Sequence, residues 1–216
     1  MSAAAEREIP RIPTPSGFIE ASGLSDALSR SGASGLAPSA KLLGLYYPTN
    51  AVAEILAIGS TPVCPFGKAV MQREFKSVSE AQKAFGTLVT NAKKESSKPF
   101  DGNDPVVKRL LKNYEDAASK VAPGTQVKVN GTSVLGTLLE TEQVFAISMV
   151  INYTVSEGGT EVTMPFAVAH VFTRMDKRQV DVSLAYPFRS ASDVSLANQK
   201  LLEWLKRIQE ANKVSA

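Results

Sequence analysis

The stretch from residue 133 to 188 constrains the fold more than any other part of the chain. Three strand-length runs, Gln143–Ser156, Thr160–Arg174 and Arg178–Phe188, follow one another there, separated by Gly158-Gly159 and Asp176-Lys177. Short connections of turn residues can join only antiparallel neighbours, so the pattern predicts an antiparallel meander. One face of the first run carries Phe145, Ile147, Met149, Ile151, Tyr153 and Val155, and one face of the second carries Val162, Met164, Phe166, Val168, His170 and Phe172. The third presents Val180, Val182, Leu184, Tyr186 and Phe188. The opposite face of the first two runs holds Ala146, Val150, Ala167, Ala169 and Val171, small residues over which a helix can pack closely. On the last run that face is polar, with Gln179, Asp181 and Ser183, as expected of an edge or solvated strand.

Helices must cover this sheet, and the sequence offers them. From Ser192 to about Lys213, Val194, Ala197, Leu201, Trp204, Leu205, Ile208 and Ala211 form one stripe of helical period. Ser77 and Glu80 have capping-box spacing ahead of a stripe of Val78, Ala81, Phe85, Leu88, Val89 and Ala92. A polar loop over 93–102 is followed by Asp104-Pro105, an N-cap and first-turn proline, and a further helix to about Val121. Ser22 is placed to cap a short helix with Leu24, Ala27 and Leu28 on one side. Lys41–Tyr47 and Gly67–Phe75 read as strands, the run 51–58 as a further strand, and Asn130-Gly131 as a tight turn. The expected fold is α+β: a central antiparallel sheet flanked by helices on both faces, an α/β/α sandwich ending in the meander and a terminal helix.

Three prolines at near-alternate positions, Pro10, Pro13 and Pro15, fix φ and remove ladder donors. Residues 1–16 are therefore expected to be a flexible arm, and residues 17–216 a single domain. Met1 runs directly into Ser2-Ala3-Ala4-Ala5-Glu6, which has the look of a mature end left by removal of an export leader, so a periplasmic or secreted location is expected over a cytoplasmic one. No run reaches the 18 or so apolar residues that span a bilayer.

The chemistry-bearing residues are few. The net charge is +3, and the middle third holds 12 basic and 7 acidic side chains, among them Lys93, Lys94 and Lys98. This is less than the basic face interleaved with aromatics of a nucleic-acid reader, so these lysines are read as a solvated helix face. The one cysteine, Cys64, lies between Pro62 and Pro65 without an activating neighbour except Lys68, and can form no internal disulfide. The one histidine, His170, sits among Phe166, Val168 and Phe172, where a structural role is the expected one. No His or Cys cluster supplies metal ligands, and neither a nucleophile elbow, a phosphate loop nor a dinucleotide fingerprint occurs, so no catalytic residue, metal or cofactor is expected. If a ligand pocket lies between sheet and helix, His170, Tyr153 and Tyr186 are its candidate polar groups.

The order of a Pro-rich arm with Pro15-Ser16-Gly17-Phe18, strands, paired helices, a long meander and a last helix with Trp204 and Ala211-Asn212 resembles the PsbP and Mog1-like fold, in particular bacterial envelope proteins of that type. The resemblance covers about residues 9 to 213. It implies non-enzymatic proteins that dock on protein partners, such as a photosystem assembly or a small GTPase, through sheet edges and loops; it transfers no binding residue. The expected function is thus a non-catalytic accessory or partner-binding domain of the cell envelope. The alternatives are a small-molecule binder or enzyme using the pocket above, and a structural subunit that oligomerises through its arm.

Overall fold

The computed structural model describes residues 9–33, 36–58, 64–96, 126–157 and 160–212. Seven strands lie in one antiparallel sheet: β1 (Phe18–Glu20), β2 (Lys41–Pro48), β3 (Phe66–Glu74), β4 (Gln126–Glu140), β5 (Val144–Glu157), β6 (Thr160–Met175) and β7 (Arg178–Pro187). Their order across the sheet is β1-β2-β3-β7-β6-β5-β4. The helices among the described residues are α1 (Asp26–Ala33), α2 (Val52–Ile58), α3 (Val78–Ser96) and α4 (Ala191–Ala211). The meander expected from the turn signals is β5 to β7, and β4 extends it by one further antiparallel strand. It folds back so that its last strand joins the first three.

That closure corrects the expectation for the third run. β7 is an interior strand between β3 and β6, with Val70 opposite Asp181 and Phe172 opposite Asp181. Register also decides the faces. Val182 stands beside Val171 and Ala69, and Leu184 beside Ala169, so the apolar set of β7 joins the small residues of β5 and β6. Its polar set, Gln179, Asp181 and Ser183, lies on the face with Phe145, His170 and Phe172.

Helices cover both faces. On the first, Ala197, Leu201, Trp204, Leu205 and Ile208 of α4 pack on Tyr46, Ala69, Ala146, Ala167, Ala169, Val171, Val182 and Leu184. The alanines let the helix axis approach the sheet, and Gly67 does the same in β3: a methyl there would sit 2.9 Å from Leu184 Cδ2 and 3.5 Å from Trp204 Cζ3. The carboxylate of Asp193 starts α4 by accepting the backbone N–H groups of Arg189 and Ser190, each at 2.8 Å. On the second face Phe85 of α3, with Val89 and Ala92, packs on Phe145, Ile147 and Phe172. Leu28 of α1 and Val52 and Ile55 of α2 pack on Leu45 and Tyr47. Ser77 caps α3 as expected, its Oγ accepting from Glu80 N at 3.1 Å, while the Glu80 carboxylate reaches Lys76 N rather than Ser77 N.

Several local expectations are corrected. The run 51–58 is helical from Val52: Ile55 N donates to Ala51 O at 3.0 Å, and Val52 and Ile55 are the buried pair, a spacing of three that a strand would split between faces. Asn130-Gly131 is no turn but part of β4, at a register shift between Val129 and Gly131, and the Asn130 amide donates to Thr154 Oγ1. Ser25, not Ser22, caps α1, with Leu28 N on its Oγ at 3.2 Å; Ser22 is held instead by the carboxylate of Glu20. A register shift between Leu42 and Gly44 breaks the alternation of β2, which brings Leu43 to the same core as Tyr46. Lys93 and Lys94 belong to the end of α3 rather than to a loop. The predicted helix to Val121, Lys98 and the Gly158-Gly159 turn lie outside the described residues.

Candidate functional site

The three polar groups singled out in the sequence are not brought together. His170 and Tyr153 share the α3 face, but His170 is opposite Ile147 and Tyr153 opposite Met164, six residues further along β6. At about 3.4 Å per residue that is about 20 Å. Tyr153 stands edge-on to Phe166, centroids 5.6 Å apart. Tyr186 lies on the α4 face, edge-on to Phe18 at 6.4 Å, and burial with the nearby Glu203 carboxylate raises its hydroxyl pKa.

Around His170 the sheet carries a polar row that strand-by-strand reading does not reveal. Ser183 of β7 pairs with Lys68 of β3 on one side and His170 of β6 on the other. One step along, Asp181 accepts from Gln72 Nε2 at 2.8 Å and Gln179 Nε2 at 3.4 Å. His170 Nε2 is sealed from solvent without a hydrogen-bond partner, and burial pushes the ring down to about 4. Burial likewise lowers Lys68 and pushes Asp181 up to about 6. An imidazole that resists protonation and whose Nε2 is sealed from solvent is poorly placed as a general base. The Cys64 thiol, pushed up to about 11 by burial and by Glu54, is held as the weakly reactive neutral form.

His170 and Asp181, both partly buried, make opposite contributions to stability as pH changes. Below its ordinary value of 6.5 the imidazole takes a proton in the unfolded chain that the folded chain refuses down to about 4, so its contribution rises with pH across that window. Asp181 keeps a proton in the folded chain up to about 6 that the unfolded chain releases at 3.8, so its contribution falls with rising pH. At 1.36 kcal/mol per unit each effect amounts to about 3 kcal/mol. Asp181→Asn is expected to gain about that much relative to the parent between pH 4 and 7, and His170→Gln to lose a similar amount. Urea unfolding across the range checks this; stability curves parallel to the parent's would refute both assignments.

The other face holds a site built by residues far apart in sequence. Residues 9–16 do not pair as a strand; they cross α4 beside β2. Arg11 O accepts from Asn212 Nδ2 at 2.7 Å, Ile12 O from Tyr46 OH at 3.4 Å, Pro13 O from Trp204 Nε1 at 2.5 Å and Thr14 O from Arg207 NH1 at 2.9 Å. Arg11 N also donates to Asn212 Oδ1 at 2.9 Å. Four successive carbonyls thus each receive a side-chain donor. Tyr46 and Trp204 stand edge-to-face at 5.0 Å under them, Ile12 packs against the same core, and Pro10 and Pro15 are buried. At the C-terminal end of the segment Pro15, Ser16, Phe18, Glu203, Trp204 and Arg207 border a cavity of about 40 Å³, space for water rather than for a cofactor. Of the three sequence candidates only Tyr186 adjoins this region, through Phe18. The sequence signals the proline spacing, yet nothing in it says that Tyr46, Trp204, Arg207 and Asn212 converge on those carbonyls.

Among the described residues no group of three or more His, Cys, Asp or Glu side chains is placed to hold a metal ion, and no helix is long and apolar enough to cross a membrane. No family model matches the chain, and no curated protein matches it. Among solved structures it is similar to the crystal structure of the Saccharomyces cerevisiae Ran-binding protein Mog1p, at 11% identity and a TM-score of 0.29, over 92% of this chain and 84% of that one. That likeness, like the PsbP and Mog1-like resemblance of the sequence, is one of element order.

Proposed function

We propose that this chain is a non-catalytic domain that docks on a protein partner through its α4 side. The observation that carries the reading is the convergence of Asn212, Tyr46, Trp204 and Arg207 on four successive carbonyls, since a surface that already holds an extended segment by its backbone has the equipment of peptide recognition. The sheet edges are poorer docking places. β1 has three residues, and the fifteen-residue β4 is broken by register shifts at three points, which deprives an added strand of a long regular ladder.

Amine-reactive cross-linking of the full chain to proteins of a native extract tests the reading. Cross-links from one recurrent partner are expected at Lys200 and Lys206 of α4. Cross-links concentrated on Lys83, Lys93 and Lys94 of α3, on the opposite side of the sheet, would overturn it.

A further inference from the structure

We infer that the groove formed by α4 and β2 is a binding site for extended proline-rich peptides, and that residues 9–16 are its resident, exchangeable ligand. The inference rests on the docking surface proposed above and names the chemistry of what docks there.

The ligand is extended before it binds. Each proline fixes its own φ, and Ile9, Ile12 and Thr14, as residues preceding proline, are steered to extended or polyproline II backbone. A segment of this kind loses little conformational entropy when immobilised, which is why aromatic-lined grooves recur as its receptors. Here the aromatic floor is the Tyr46–Trp204 pair. The donors reach backbone oxygens, which every peptide has, so they fix the path of the chain rather than its sequence. Selectivity falls to the positions that pack: buried Pro10 and Pro15, and Ile12 against the core.

The occupant is also separable from the sheet. Side chains hold its backbone at residues 11 to 14, and Gly17, at φ 85°, makes the turn that divides it from β1. A tethered occupant acts at an effective concentration in the millimolar range, so a free peptide meets a blocked groove in the intact chain.

Trp204 is the only tryptophan, and its ring nitrogen is bonded to Pro13 O, so its fluorescence reports occupancy. A chain lacking residues 1–16, shown to unfold cooperatively, is expected to emit further to the red. Titration with a synthetic peptide of residues 9–16 should restore the emission at one peptide per chain. Replacing the three prolines by alanine, or Asn212 by alanine in the protein, should weaken binding about tenfold or more, the Asn212 figure following from two lost hydrogen bonds. The intact chain should bind at least tenfold more weakly than the truncated one. Failure of the folded, truncated chain to bind at millimolar peptide, or equal binding of the peptide with its three prolines replaced by alanine, would overturn the inference.

Should truncation prevent folding, a protease site inserted after Ser16 allows the arm to be cut on the folded protein. Uptake of a labelled peptide of residues 9–16 in place of the cut arm would support the inference, and its exclusion would overturn it. The two readings can fail separately. Peptide binding with partner cross-links on α3 removes the docking proposal alone, and partner cross-links on α4 without peptide binding remove the groove alone.

Discussion

A chain ending at Phe188 is expected to show no cooperative thermal or urea transition. The truncation removes α4, and with it Leu201, Trp204, Leu205 and Ile208, all 2% exposed or less. Burying four such side chains contributes on the order of 6–12 kcal/mol before entropy. A domain of ordinary stability has about 5–15 kcal/mol in all, so the loss is comparable to the whole. It would also bare Ala146, Ala167, Ala169, Val171, Val182 and Leu184 along the middle of the sheet, an apolar strip with no other helix to cover it among the described elements. Residual far-ultraviolet strand signal without a sharp transition is the expected outcome. An unfolding midpoint unchanged from that of the full chain would refute the closing role of α4.

Trp204→Ala is expected to destabilise the folded chain by about 3–5 kcal/mol, the range for deleting a large buried aromatic. Trp204 heads the fully buried side chains by volume, at 1% exposure, and lies between the sheet and the N-terminal segment. The substitution opens a cavity under Tyr46, ends the edge-to-face contact and strips Pro13 O of its donor. Trp204→Phe separates these effects. It keeps most of the packing but lacks the ring N–H, so its cost is expected nearer about 1–2 kcal/mol, the figure for one hydrogen bond with some lost volume. Equilibrium urea unfolding of the two variants beside the parent measures both. Equal losses would mean that the hydrogen bond, not the packing, carries the effect.

What was legible in the sequence is what depends on neighbours close along the chain. The meander is announced by turn residues between runs of period two, and α4 by seven apolar residues on one helical stripe. The small residues Ala146, Ala167 and Ala169 also indicated where a helix would approach. The place of β7 was illegible because its second neighbour, β3, lies more than a hundred residues away, and polar Gln179, Asp181 and Ser183 look the same on an edge strand as on a buried one. Only their partners Gln72, Lys68 and His170 distinguish the two cases. At α2 the eight-residue run 51–58 was too short for its period to separate helix from strand. The arm site was the least legible of all. Its contacts join Arg11, Pro13 and Thr14 to residues 191 to 201 positions later, and no local pattern encodes such a meeting.

β5 and β6 also run past the end of β7. Their pairing continues to Glu157 opposite Thr160, whereas β6 and β7 part at Phe166 opposite Pro187. Beyond that point β6 has one strand neighbour instead of two, and the register is helped by hydroxyl and amide contacts in which Thr154 joins Asn130 and Thr163. Such a projection opens without dissolving the core beneath α4. The molecule should therefore have two tiers of local stability. Backbone amides of residues 152–157 and 160–164 should trade hydrogen for deuterium through partial openings, hours before those of Ala167–Val171 and Val180–Leu184, which wait for the whole domain to unfold.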